Sequence, residues 1–476
     1  MRNVKDFGAL GDGLTPDTEA IQAAVDAGGE IFFPPGRYVT ATVRLKSGTT
    51  LRFAPGAELF ADPDWRRFRE AEADPESRYE GNGNAYSYGE DDGKQYGLLT
   101  AYEAENIRIS GGRILTDDAS YCETVSQKPV VTDESSIFAP GYFRQPSTWR
   151  KPNRPRPKLF LFQRCKNVHI RGTEIVRAPC YSGWFLNCED VTVEGMTVRN
   201  DYAQPNADGL HFSSCRRVRV TRCDLTCGDD CIAVDCTYGK PCEDVLVENC
   251  VLETSIHAVR VYSGLDLTKI YGRGNSAYVK NVTVRNCRVR EACGILLVNA
   301  CDGDISGIRF SDVVADQRFP GTCICLTADE GKISDLIFER VSFRGNGIGY
   351  LYAEKAGEIS GVRISECGFE IVPKPKLWGD GFDGMIAHCY SLPYGLLMRN
   401  VSGIRLERSE ICVSAVDTSE YTEEELQKVR TEVGREKFEK ILSPADPIVR
   451  TVHCGRVETE DLKVFTEFEE KKEKKK

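Results

Sequence analysis

No stretch of the chain approaches the roughly 18 consecutive apolar residues that cross a bilayer, so a membrane-spanning helix is not expected. There is no basic stripe either: the net charge is −10, which argues against nucleic acid as a partner because phosphate contacts need clustered Lys and Arg. The acidic balance also counts mildly against a long polyanion, unless positive charge gathers at the site. The opening MRNVKDFGALGDG lacks the apolar stretch and small-residue cleavage site of a secretory signal. Cysteine is missing before Cys122, and the twenty present recur in apolar strand patterns rather than in pairs with zinc-site spacing. They read as reduced core residues of a cytoplasmic protein. Charged residues at 28% and apolar ones at 41% are those of a soluble globular chain, not a disordered one.

Length alone, at 476 residues, suggests two or three cores; a repeat overrules that. One recurs as a polar residue, two apolar residues at alternating positions, a turn and a second apolar pair. It runs through NIRISGGRIL from Asn106, NVHIRGTEIV from Asn167, DVTVEGMTV from Asp190, RVRVTRCDL from Arg217, DVLVENCVL from Asp244 and NVTVRNCRV from Asn281. Weaker copies start at Gly307, Asp335, Gly361 and Gly403, with a trace at Arg456. Short half-buried strands every two dozen residues, with no helix pattern between them, cannot build a doubly wound sheet. Stacked coaxially, each coil hides its apolar face on its neighbours. The expected fold is all-β: a right-handed parallel β-helix of roughly ten coils, with an N-terminal capping helix over Asp17–Ala27. In that helix Asp17 is the N-cap, and Ala20, Ile21, Ala24 and Val25 form the apolar stripe.

The whole chain, 1–476, is read as a single domain. Residues 1–60 form the cap and first coils, 159–413 the core coils and 414–476 a C-terminal flank and tail. Residues 62–104 and 117–158 break the rhythm and are read as groove-shaping loops carrying Tyr86, Tyr88, Tyr96, Tyr142, Phe143 and Trp149. The Asn-Cys pairs at 187–188, 249–250 and 286–287 are expected to form side-chain ladders between successive coils. Ser419–Leu442 is charged and helix-prone, and the final EFEEKKEKKK is a solvated tail.

The densest acidic constellation lies in NADGLHF, Asn206–Phe212, and CGDDCIAVD, Cys227–Asp235. Asp208 and Asp229 are slightly less than one coil apart, so Asp208, Asp229 and Asp230 converge on one outer patch. Clustered carboxylates repel, which raises at least one pKa and keeps a proton available near neutrality. An acid beside ionised carboxylates suits glycosidic cleavage by inversion. One coil on, SIHAVRVY brings His257; with Val259 and Val261 inward, Arg260 and Tyr262 cannot both share their side unless the backbone bulges, and alternation puts Arg260 outward. His211 is a candidate substrate contact. The run Arg150, Lys151, Arg154, Arg156 and Lys158 reads equally as a polyanion-steering patch or a solvated loop.

VKDFGALGDGLTPDTEAIQAAVDAGG with FPPGRY resembles the entry segment of many pectin-active β-helix proteins, and RPKLFLFQRCKNVHIRG, NADG and GDDCIAV together resemble glycoside hydrolase family 28, the polygalacturonases and their relatives. The resemblance covers most of residues 3–300. It implies metal-independent, inverting hydrolysis of α-linked galacturonan and related pectic chains, with no cofactor. It further implies Asp229 as general acid, Asp208 and Asp230 positioning and activating water, and Asn206 holding the first of those two. His257 would support the acid's protonation or bind sugar. Two departures stand out: Ala258 follows His257 where the family has Gly, and GILLVNA, Gly294–Ala300, lacks the Arg-x-Lys pair that grips the sugar carboxylate. Arg260, Lys280 or Arg273 are the candidate replacements. Two other readings stand beside hydrolysis: a calcium-dependent pectate-type lyase, and a non-catalytic glycan-binding β-helix. The expectation is a cytoplasmic exo-acting hydrolase of short pectic oligosaccharides; the sequence leaves the oligomeric state open.

Overall fold

The ten residues that open the sequence repeats, from Asn106 and Asn167 through Asp335, Gly361 and Gly403, all hold φ between 50° and 68°. That left-handed state suits Gly, Asn and Asp, and it turns the chain through a corner near the start of each strand. The residue after each corner points inward, so Val168, Val191, Val218, Val245 and Val282 lie in register along the core. The repeat signature is therefore a corner followed by an aliphatic stack.

The protein is described by a computed structural model covering residues 1–72, 95–126, 148–263, 267, 272, 274–317, 322–354, 357–373, 395–415, 417–419, 422–435 and 448–466. Its strands form a right-handed parallel β-helix with one 24-stranded sheet and one 12-stranded sheet, besides a two-stranded antiparallel pair. The 12-stranded sheet runs from Val43–Leu45 through Leu210–Ser213, Ile232–Asp235, His257–Tyr262 and Gly294–Ala300 to Val449–Val452. All its pairings are parallel. Inside, aromatic rings stack between coils: Phe185 on Phe212 at 5.2 Å and 18°, and Phe310 on Phe338 at 5.2 Å and 3°.

Several expectations change at the corners. The Asn-Cys pairs belong to two ladders. Cys165, Cys188, Cys215 and Cys242 share one corner; Cys223, Cys250 and Cys287 share another. Within them the thiols of Cys188, Cys215, Cys242, Cys223 and Cys250 donate to a carbonyl of the preceding coil, as Cys215 does to Phe185 at 3.2 Å and Cys250 to Val220 at 3.9 Å. Beyond residue 278 the short strands fuse into Tyr278–Glu291, Asp304–Asp316 and Lys332–Gly345.

The N-terminal helix spans Thr18–Asp26 and buries Ile21, Ala24 and Val25, while Ala20 is only partly covered. Asp17 is its N-cap residue, but the carboxylate makes no capping bond and accepts instead from the backbone N–H groups of Leu10 and Gly11 at 2.6 and 3.0 Å, tying down the entry loop. A helix also forms over Glu423–Val433. The two segments read as loops carry structure. Gly97–Tyr102 is a strand of the 12-stranded sheet, and Cys122–Ser126 pairs antiparallel with Thr148–Pro152. Tyr86, Tyr88, Tyr142 and Phe143 lie outside the described residues, as do Arg273 and the side chain of Trp149.

Candidate active site

Gly209 and Gly228 explain the small residues of the two acidic motifs. A Cβ on Gly209 would fall 2.4 Å from the Cys231 carbonyl oxygen, and one on Gly228 would fall 2.2 Å from that of Gln204. Only glycine lets the turns of successive coils approach this closely. The approach sets Asp208 and Asp230 level across adjacent coils, with the Gly209 N–H donating to the Asp230 carbonyl at 2.9 Å. Asp229 sits one position earlier, in the turn before the strand Ile232–Asp235.

Outer-facing side chains of the 12-stranded sheet then fall into two columns. One holds Trp184, His211, Ala233, Arg260 and Leu297; the other holds Leu186, Ser213, Asp235, Tyr262 and Asn299. Arg260 and Tyr262 thus share a face without any bulge, because residues two apart on a strand always do. The Arg260 guanidinium carbon lies 4.2 Å from the Tyr262 ring centroid.

The three carboxylates have different surroundings. Asp230, 2% exposed, accepts from His257 Nδ1 at 2.8 Å on Oδ1 and from Arg260 at 3.5 Å on Oδ2. Burial alone would raise its pKa, but the charges of His257 and Arg260 hold it below the usual carboxylate value. Asp208, 4% exposed, lies 3.2 Å from His211 Nδ1. Burial outweighs the His211 hydrogen bond, so its pKa is raised. Asp229 is half-buried and accepts only backbone N–H groups, from Asn206 at 3.1 Å and Asp230 at 3.0 Å. Burial, followed by the charges of Asp208 and Asp230, pushes its pKa well above the usual carboxylate range. Among the described residues no cation pairs with Asp229.

The structure thus brings all seven expected site residues together, with some altered contacts. Asn206 reaches Asp229 through its backbone, and its side chain accepts from Arg156 at 2.9 Å instead of holding Asp208. His257, the first residue of its strand, bonds to Asp230 and not to Asp229. His211 is buried, with Nδ1 against Asp208 and Nε2 2.5 Å from Asp235. Burial opposes its charged form, yet the bonds to Asp208 and Asp235 prevail and push its pKa up to about 10. Asp235 is the residue the sequence reading missed. It closes the quoted motif CGDDCIAVD, and alternation sets its side chain on the outer face.

Candidates from further afield fall away from this patch. Lys280 is exposed on Tyr278–Glu291, a strand of the other sheet, opposite Glu243. Arg156 and Lys158 form neither a steering patch nor a solvated loop. Arg156 is buried and donates to the Pro179 and Pro205 carbonyls, so it braces the turn carrying Asn206. Lys158 is buried too, and lies 5.7 Å from the Trp184 ring. The stretch Gly294–Ala300 is a fully buried strand that sets Leu297 and Asn299 below Arg260 and Tyr262, with no charge at either position.

A parallel β-helix with three converging carboxylates, two beside cations and one without a cationic partner among the described residues, has the form of a carbohydrate-cleaving enzyme. The comparisons agree. The model of glycosyl hydrolases family 28 matches residues 80–324, and that of rhamnogalacturonase A/epimerase, pectate lyase-like, matches residues 1–59. The chain belongs to glycosyl hydrolases family 28, and is a glycosidase. A Vitis vinifera protein named "Probable polygalacturonase" is 23% identical over 364 residues, 66% of this chain and 68% of that one. The exo-poly-alpha-D-galacturonosidase of Dickeya chrysanthemi is 26% identical over 268 residues, 50% of this chain and 42% of that one. The chain therefore spans about two thirds of the first relative and less than half of the second. Among solved structures, the family 28 exopolygalacturonase of Yersinia enterocolitica has a TM-score of 0.54 at 15% identity, covering 98% of this chain and 77% of that one. That likeness bears on the fold.

Proposed function

We propose that this glycosidase hydrolyses α-linked galacturonan-type pectic oligosaccharides from the chain end, with inversion at the anomeric carbon. One observation carries the reading: of three clustered carboxylates, only Asp229 has no cationic partner among the described residues, and burial with the charges of Asp208 and Asp230 pushes it well above the carboxylate range. Asp229 is then the general acid that protonates the leaving oxygen. Asp208 and Asp230, each beside a cation, are the ionised groups that orient and deprotonate water on the opposite face of the sugar. His257 acts by holding Asp230, and the Asn206 backbone N–H aims Asp229.

Arg260 is the cation best placed to meet a sugar carboxylate, standing one coil above the uncharged Leu297 and stacked on Tyr262. The calcium-lyase reading is opposed by charge, because Arg260 and two imidazoles already occupy the space around these carboxylates. Action from the chain end is supported by the name of the Dickeya relative. It is also supported by the paired strands Cys122–Ser126 and Thr148–Pro152, inserted upstream of the site. A cytoplasmic location is supported by the cysteines, most of which are buried in the coils with thiols that donate to backbone carbonyls.

The test is product analysis on oligogalacturonides, rhamnogalacturonan fragments and neutral α-linked oligosaccharides, comparing the wild type with Asp229→Asn. Hydrolysis confined to the uronate substrates and lost in the variant is the expected result. Turnover of neutral sugars alone overturns the substrate class.

A further inference from the structure

Asp235 is a wholly buried carboxylate that the scheme above leaves unused. Its oxygens are fully engaged. Oδ1 accepts from the Thr237 backbone N–H at 2.8 Å and from the Thr237 hydroxyl at 2.5 Å. Oδ2 accepts from Ser213 at 2.9 Å and lies 2.5 Å from His211 Nε2. Ser213 is itself fixed by the Trp184 indole N–H at 3.1 Å. Asp235 reaches His211 diagonally across the sheet because Ala233, directly opposite the imidazole, is too small to fill the space.

On the far side of the ring, Nδ1 lies 3.2 Å from Asp208. A neutral imidazole donates from one nitrogen only. Carboxylates at both nitrogens therefore call for the imidazolium, which donates to each. The other groups facing the ring do not displace this arrangement. Tyr262 Oη lies 3.2 Å from Nε2, Tyr181 packs edge-on at 5.1 Å, and Trp184 stands 6.0 Å away. Asp230 and Arg260 act on the cluster from longer range. A purely structural Asp235 would already be satisfied by Thr237 and Ser213.

We propose that Asp235 is a positioning residue acting through His211: it keeps the imidazole charged and aimed at Asp208, so that Asp208 stays ionised as the water-activating base while the cluster's proton resides on Asp229. The kinetic part of this inference rests on the hydrolytic reading above; the protonation of His211 does not.

Two experiments test it. Asp235→Asn keeps size and removes charge, so His211 becomes neutral near pH 7 and the Asp208 carboxyl retains its proton to higher pH. The acid limb of the kcat profile should move up by about one pH unit, lowering kcat on that limb about tenfold, while KM changes less than about threefold. An unchanged profile overturns the proposal. Independently, nitrogen-15 NMR of the wild type, with His211→Gln to assign one signal among five histidines, should show both His211 nitrogens protonated at pH 8. A neutral tautomer at that pH overturns it as well, and this decides the matter if the Asp235 variant does not fold. Absence of turnover by the wild type on every glycan would remove the hydrolytic reading and leave the NMR result standing.

Discussion

His257 Nδ1 lies 2.8 Å from Asp230 Oδ1, one coil away, so the imidazole serves the more acidic of two adjacent carboxylates and leaves its neighbour Asp229 to carry the proton. Consecutive carboxyls are thus shifted in opposite directions, Asp230 down by the charges of His257 and Arg260 and Asp229 up by burial and the neighbouring carboxylates.

The first prediction concerns Asp229. Asp229→Asn should lower kcat by about 10²–10⁴, the range expected for removing a general acid, as read by reducing-sugar release. The melting temperature should fall only slightly, because the amide oxygen can keep one of the two backbone N–H groups that the carboxylate accepts, from Asn206 on Oδ2 and from Asp230 on Oδ1, and a lost hydrogen bond costs about 1 kcal/mol.

Gly294 provides a subtler test. A Cβ there would lie 2.8 Å from His257 Cδ2, so Gly294→Ala must push the ring off Asp230. The expected outcome is a kcat about tenfold lower with KM little changed, an interaction lost mainly in the transition state. Activity equal to the wild type would show that His257 tolerates displacement.

Arg260→Ala should raise KM for uronate oligosaccharides about tenfold or more, in line with the loss of a charged hydrogen bond, as measured by initial rates. Unchanged activity on oligogalacturonides removes Arg260 as the carboxylate grip.

Stability should also report on His211. Its pKa is raised from 6.5 to about 10, so the folded state binds this proton more tightly than the unfolded chain does. The contribution is full below the unfolded value and is lost as pH rises through about 10. The urea midpoint of the wild type should fall across that window, and that of His211→Gln should fall less.

The coils were legible because corner and core use different residue types. A Gly, Asn or Asp at positive φ, with Arg at 217, stands immediately before an inward Val, Ile or Leu, so one pattern reports both. Asp208, Asp229, Asp230 and His257 were legible because their spacing matches the coil. The corners themselves were not, since each coil turns more than once with similar residues; this is why Asn187-Cys188 looked equivalent to Asn249-Cys250. The partnership of His211 with Asp235 depends on the small side chain of Ala233 opposite the ring, a packing fact that alternation cannot convey. Arg156 looked like one charge in a loop, and only the turns that it braces account for its burial.

The most direct test of the central claim is proton NMR of the first product released from a galacturonate trimer, in the presence of EDTA, by the wild type and by Asp229→Asn. Inverting hydrolysis with Asp229 as acid predicts a β-anomeric sugar, formed without metal and absent with the variant. An α-anomeric or unsaturated product, or full activity in Asp229→Asn, would contradict it.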